Sequence, residues 1–226
     1  RGADGPGRVG PARLVGSGMA TPAEVRGAAI IAFGVAAVVG LVLSLVVAPW
    51  LLLVGAASIA AGWFYTAGSR PYGYAGLGEV SVFVFFGLVA TVGSSYVHGG
   101  GITGVALIAG AAVGLLACAL LVVNNLRDWE RDASVGKVTL AVRLGDRRTR
   151  LLYVCLLDGG LVCGSICALF RPWASLVLAA GVVAARPVKN VLAGARGTDL
   201  LGVLGATGHV QLVAGVMLGL GLALSG

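Results

Sequence analysis

Charge is what this chain has least of. Charged residues fill 11% of its 226 positions, against about 25% in an ordinary soluble domain. With a mean hydropathy of +0.98, it has too few polar side chains to cover its apolar surface in water. That excludes a water-soluble globule and leaves lipid as the solvent. The net charge of +7 invites a nucleic-acid reading. A basic stripe, however, needs a water-facing surface to sit on, so no nucleic-acid partner is expected. Cysteine is scarce as well. Cys118, Cys155, Cys163 and Cys167 lie in apolar runs with no CxxC pair and no adjacent His. A zinc site and a disulfide framework are thereby excluded, and all four are expected to pack as small hydrophobes.

What is present is a series of apolar runs. A membrane span takes about 20 mostly apolar residues, and seven candidates run at roughly 27–47, 50–66, 79–97, 102–125, 151–170, 173–185 and 201–225. The sixth is the shortest. Gly is abundant, at 38 residues, which suits close helix approach in lipid. The loops 1–26, 67–78, 126–150 and 186–200 hold four, one, seven and three Lys/Arg, or 15 of the 16. Only Arg171 falls on the other side. This asymmetry predicts that those four loops face the cytoplasm, in the plasma membrane.

Residues 126–150 carry acids that positive-inside sorting does not explain: Asp128, Glu130 and Asp132. If the fourth helix runs on to Gly136, these sit in its last turns, where the helix dipole disfavours carboxylates. Asp128 and Asp132 are four apart and share a face. Two acids on one face repel unless a cation lies between them. A hard ion such as Mg²⁺ takes one or two carboxylates plus substrate phosphates. Interleaved Arg127 and Arg131 offer the plainer alternative of a salt-bridged helix end. Asn124 and Asn125, one turn earlier and still inside the membrane, favour a cavity.

The stretch "NNLRDWERDASVGKVTLAVRLG", residues 124–145, resembles the second aspartate-rich motif of the UbiA-type intramembrane aromatic prenyltransferases. The resemblance rests on Asn124, Asn125, Asp128, Asp132, Gly136, Lys137, Thr139, Leu140, Ala141, Arg143 and Gly145. "YTAGSRPYGYAGLGEVSVFVFFG", residues 65–87, is similar to the Tyr-Gly-Tyr loop of the branch that prenylates 1,4-dihydroxy-2-naphthoate in menaquinone synthesis. "RVGPARLVGSG", residues 8–18, resembles the basic loop after the family's first aspartate motif.

The resemblance implies an all-α fold: a single polytopic domain over 1–226, seven helices of a nine-helix bundle around a central cavity. The family has two aspartate motifs, and "RGAD" resembles the tail of the first. The first two helices are therefore expected upstream, and these residues alone are expected not to turn over substrate. The implied reaction joins a polyprenyl diphosphate to the aromatic acid with loss of CO2 and diphosphate. Asp128 and Asp132 would hold Mg²⁺. Lys137, Arg70, Arg8, Arg13 and Arg143 would bind diphosphate, with Lys137 also catalytic. Asn124, Asn125, Tyr65, Tyr72 and Tyr74 would contact substrate.

Each role has a plainer alternative. Juxtamembrane Arg and interfacial Tyr are ordinary anchors, and Glu79 reads as an acid favouring the third helix's N-terminus. Asp158, His209 and Gln211 are intramembrane polar residues without an assigned role. Rival functions are prenyl transfer to homogentisate, hydroxybenzoate or a phosphosugar, and small polytopic transport. A transporter would keep its charges near mid-bilayer; here they crowd one rim.

Overall fold

The computed structural model describes residues 14–66 and 71–225. Arg8, Arg13 and Arg70 lie outside the described residues. All regular structure among the described residues is helical, in seven rods: α1 (Pro22–Val47), α2 (Leu51–Thr66), α3 (Gly78–Gly99), α4 (Gly104–Ser134), α5 (Leu140–Leu169), α6 (Pro172–Leu192) and α7 (Asp199–Leu224). Six are long and apolar enough to cross a membrane; α2, at 16 residues, is the shorter one. At 1.5 Å per residue it reaches about 24 Å, short of a hydrocarbon core of about 30 Å. The sixth helix, expected to be shortest, runs instead from Pro172 to Leu192 because polar Arg186, Lys189 and Asn190 continue it.

The chain separates into two compact units, Arg1–Phe64 and Tyr65–Gly226. In the first, α1 starts on a capping box. Thr21 Oγ1 accepts from Glu24 N at 3.2 Å, and Glu24 Oε2 accepts from Thr21 N at 2.7 Å. Pro22 occupies the first helical position, where its missing N–H does no harm. Of α1's residues only Ser44 is buried, as expected of a rod facing lipid.

The second unit is organised around α4, which packs against α3, α5 and α7. Its core joins Val122 and Val123 of α4 to Tyr153 and Leu157 of α5, Val177 of α6 and Val203 and Val210 of α7. α3 and α4 cross through glycine. A Cβ added at Gly87 would lie 2.5 Å from Gly114 Cα and 2.8 Å from Gly110 O. Gly110 and Gly114 are four apart, the small-residue spacing that lets helix backbones touch in lipid.

Polar ties inside the unit are few and specific. Tyr153 and Thr207 share a hydrogen bond at 2.7 Å between their hydroxyls. Buried Arg150 forks onto Asp146 at 2.7 and 2.9 Å and donates to the carbonyls of Val191 (2.7 Å) and Ala195 (3.0 Å). It thereby satisfies acceptors left open at the end of α6. All four cysteines are free thiols; Cys118 and Cys167 are buried, Cys163 is partly so, and Cys155 is exposed. Its position on α5 points away from the helix's core-facing residues Tyr153 and Leu157. Asp158 and His209 are exposed, with His209 Nδ1 3.0 Å from Gly205 O, and Gln211 is half-buried.

The segment 126–150 is mostly helical. α4 continues nine residues past 125 to Ser134, and α5 begins at Leu140, leaving the turn 135–139 between them. Gly136 (φ 72°) terminates the first helix in the left-handed region, and Thr139 caps the second by accepting from Val142 N. α5 kinks at Gly145, where φ is 74°. Of the charged residues in this segment, all but Lys137 are therefore carried on helix ends, as continuation of the fourth helix toward Gly136 implies for Asp128, Glu130 and Asp132.

Candidate active site

The ends of α4 and α5 and the turn before α3 meet at one end of the second unit. Backbone bonds fix the arrangement first. Val138 N donates to Tyr74 O at 3.0 Å, joining the 135–139 turn to the single 3₁₀ turn Tyr72–Tyr74. The Arg143 guanidinium donates to Ala75 O at 2.9 Å. Gly76 (φ 75°) lets Arg143 come this close, since a Cβ there would stand 2.9 Å from its Nε. Gly73 has the same function on the other side, where a Cβ would stand 2.7 Å from Tyr65 O.

Upon this frame the aromatic side chains assemble. The Tyr65 and Tyr72 rings meet edge to face at 5.4 Å and 89°, a favoured arrangement. The Tyr72 hydroxyl is hydrogen-bonded to Ser81 Oγ at 3.0 Å. Lys137 Nζ stands 5.5 Å from the Tyr74 ring centroid, within cation–π range.

The two acids of the DxxxD pattern each have their own cation. Arg127 forks onto Asp128 with Nε–Oδ1 at 2.9 Å and Nη2–Oδ2 at 2.6 Å. Lys137 Nζ donates to Asp132 Oδ2 at 2.7 Å. The side chains of Asp128 and Asp132 are 20% and 11% exposed, so neither carboxylate stands in open solvent. Their mutual repulsion is relieved by neighbouring side chains, and the inference that a metal must lie between them loses that premise. Among the described residues no group of three or more His, Cys, Asp and Glu is placed to hold a metal ion.

The remaining candidates divide. Asn125 is buried and donates its Nδ2 to Glu79 Oε1 at 3.0 Å. Asn124 is half-buried, and the bond to Glu79 is made by Asn125. Arg143 ties down the Tyr72–Tyr74 turn, a task its basic character alone did not suggest. Glu79 is the residue that sequence reasoning undervalued. It is 8% exposed, and its Oε2 is buried with no hydrogen-bond partner among the described residues. The signal was available: Glu79 is the only acid between Glu24 and Asp128, and it opens an apolar run.

The family model of the UbiA prenyltransferases matches residues 8–197, which include every element of this site. The chain belongs to the UbiA prenyltransferase family. It is 50% identical over 206 residues, 91% of this chain and 70% of the relative, to a 1,4-dihydroxy-2-naphthoate octaprenyltransferase of Mycobacterium tuberculosis. A protein of the same name from Escherichia coli is 39% identical over 201 residues, covering 85% of this chain and 65% of the relative. A UbiA prenyltransferase domain-containing protein 1 from Gallus gallus is 33% identical over 107 residues, 47% of this chain and 32% of its own. No solved structure matches. Family membership makes this multi-helix membrane protein a prenyltransferase by class.

Proposed function

We propose that this protein transfers a polyprenyl group from a polyprenyl diphosphate to 1,4-dihydroxy-2-naphthoate, with loss of CO2 and diphosphate, giving demethylmenaquinol, the reduced form of demethylmenaquinone. One observation carries the reading. Lys137 has the Asp132 carboxylate at 2.7 Å and the Tyr74 ring at 5.5 Å, so charge and aromatic surface meet at one side chain. A diphosphate joined to a greasy tail needs the first; a flat aromatic acid needs the second. The names of the mycobacterial and Escherichia coli relatives support the same substrate pair.

The donor set at the end of α4 fits Mg²⁺ in one manner. Asp128 and Asp132 offer hard oxygen ligands, and two carboxylates suffice where substrate phosphates supply the rest of the shell. An all-protein cage is not offered by the described residues. Mg²⁺ held by Asp128 and Asp132 would neutralise charge on the departing diphosphate. Lys137, released from Asp132, would then bind a phosphate oxygen, with Arg8, Arg13 and Arg70 as further cations. Arg143 holds the turn through Ala75 O and keeps other N–H donors for phosphate.

In this reading the C–O bond to diphosphate breaks and its electron pair leaves with the phosphate. The electron-rich ring attacks the allylic carbon. The ring faces of Tyr65, Tyr72 and Tyr74 would favour a passing cation, and Asn124 and Asn125 orient polar groups of the substrates. The bundle end carrying this cluster faces the cytoplasm of a plasma-membrane protein, where the diphosphate is soluble and the tail can remain in lipid.

The test uses the protein expressed from its whole gene in lipid nanodiscs, with Mg²⁺, a polyprenyl diphosphate and one of three acceptors. Demethylmenaquinol formation from dihydroxynaphthoate, abolished by EDTA, is expected. Transfer to hydroxybenzoate or homogentisate in its place would overturn the choice of acceptor.

A further inference from the structure

Glu79 is enclosed by groups that leave half of its carboxylate unanswered. Oε1 accepts from Asn125 Nδ2 at 3.0 Å, and Oε2 has no hydrogen-bond partner among the described residues. The residue's backbone carbonyl accepts from Cys118 Sγ at 3.1 Å, which fixes the main chain that carries it. The Tyr65 hydroxyl also approaches the start of α3 closely, 3.2 Å from where a Cβ on Gly78 would lie. A buried acceptor without a donor is costly, and such groups are rare in folded proteins. Where one persists beside a substrate site, a donor arriving with the substrate accounts for it.

Among the groups the substrates bring, the donor that Oε2 lacks is an O–H or N–H carried on a group that fits among tyrosine rings. Neither a diphosphate nor a prenyl chain has one. A hydroxylated aromatic ring does.

Resting on the reading given under Proposed function, we propose that Glu79, held in place by Asn125, receives the hydrogen bond of a ring hydroxyl of the acceptor substrate on Oε2. The contact selects acceptors that bear a hydroxyl at that position. It also places the ring beside Tyr65 and Tyr72, with the phosphate-binding Lys137 nearby. Oε2 is enclosed in this structure, so its surroundings must open for the incoming hydroxyl to reach it. A site built to hydrogen-bond a hydroxyl rejects analogues lacking it far more strongly than an apolar pocket rejects a size change.

The experiment compares dihydroxynaphthoate with its two mono-methoxy ethers as acceptors, using the whole-gene protein in nanodiscs and the variants E79Q and E79D. The wild type is expected to prefer the free dihydroxy acid over one of the ethers by tenfold or more in kcat/KM. E79Q is expected to reduce that preference to within about threefold, with the KM for polyprenyl diphosphate unchanged. E79D, which withdraws the carboxylate by one methylene, is expected to lose part of it. Unaltered preference in a folded E79Q overturns the proposal. If E79Q does not fold, E79D decides by the same criterion. Wild-type transfer with intact discrimination in the variants removes the role of Glu79 and leaves the proposed function standing. Absence of wild-type transfer to any of the three naphthoates removes both.

Discussion

Lys137 Nζ lies 2.7 Å from Asp132 Oδ2, five residues back along the chain and across the turn that ends α4. The pair closes that turn together with the backbone bond from Lys137 N to Asp132 O at 2.8 Å. The same carboxylate assigned to a metal is thus held by the same cation assigned to a phosphate. In the proposed reading Asp132 would hold the metal and Lys137 would bind a phosphate oxygen, so the two side chains would give up each other when substrate binds.

That exchange sets the outcome for the acids. Asp128→Asn and Asp132→Asn each retain size and helix position but lose the charge. Each is expected to lower kcat for prenyl transfer by about 10²–10³-fold, the range for removing one preorganised electrostatic group. Steady-state turnover at saturating Mg²⁺, beside the thermal midpoint in detergent, is the check. Turnover within threefold of wild type in both variants would remove them from the site.

Lys137 separates binding from folding. Its ion pair is partly exposed, with side-chain exposures of 25% and 11%, and pairs of that kind contribute about 0–1 kcal/mol. Lys137→Gln should therefore leave the melting temperature nearly unchanged while raising the KM for the diphosphate substrate tenfold or more. A large loss of stability with an unaltered KM would make the lysine a structural clasp.

How much of this was legible in the sequence follows the physics of each signal. Seven apolar runs gave seven helices, because burial in lipid depends on composition and length alone. The ends were less legible. Residues 126–134 and 140–150 are polar and lie between the apolar runs, yet they are helical, since Thr139, Gly136 and the Arg–Asp pairs terminate and stabilise helices that emerge from the apolar layer. Asp128, Asp132 and Lys137 were visible because charge is rare here. The joining of Lys137 to Tyr74 depends on the bond between Val138 N and Tyr74 O, a contact across 64 residues that no local pattern encodes. Glu79 was overlooked for a related reason: an acid at a helix start has a sufficient local explanation, and only its enclosure shows that the explanation is incomplete.

Arg150 makes a stability prediction independent of the reaction. Its guanidinium satisfies Asp146 and the carbonyls of Val191 and Ala195 at once, and the residue is 6% exposed. Arg150→Met keeps the apolar stem and removes every donor. The expected cost is about 2–3 kcal/mol, that of losing hydrogen bonds to a charged group, reduced from the fully buried case because the Asp146 side chain is 28% exposed. Unfolding in mixed micelles measures it. A double variant with Asp146→Leu should recover part of the loss, because it removes the acid left without a partner.

The crossing of α3 and α4 gives the sharpest structural test, because it is made of backbone. At Gly87 a methyl group would enter space held by Gly114 Cα at 2.5 Å and Gly110 O at 2.8 Å, atoms that cannot swing aside. The helices must separate to admit it, and overpacking of this kind costs about 1–3 kcal/mol. Separation would also move Glu79, two turns earlier on α3, away from Asn125 on α4, so Gly87→Ala should impair acceptor use as well as stability. Gly93, on the same helix, has nothing within 4 Å of an added Cβ, and there alanine should be neutral or stabilising by its better helix propensity. Comparing thermal midpoints of Gly87→Ala and Gly93→Ala isolates the crossing from the general effect of removing a glycine. Equal midpoints would mean that α3 and α4 do not meet at this register, and that the Glu79–Asn125 contact, set by the same register, is misplaced.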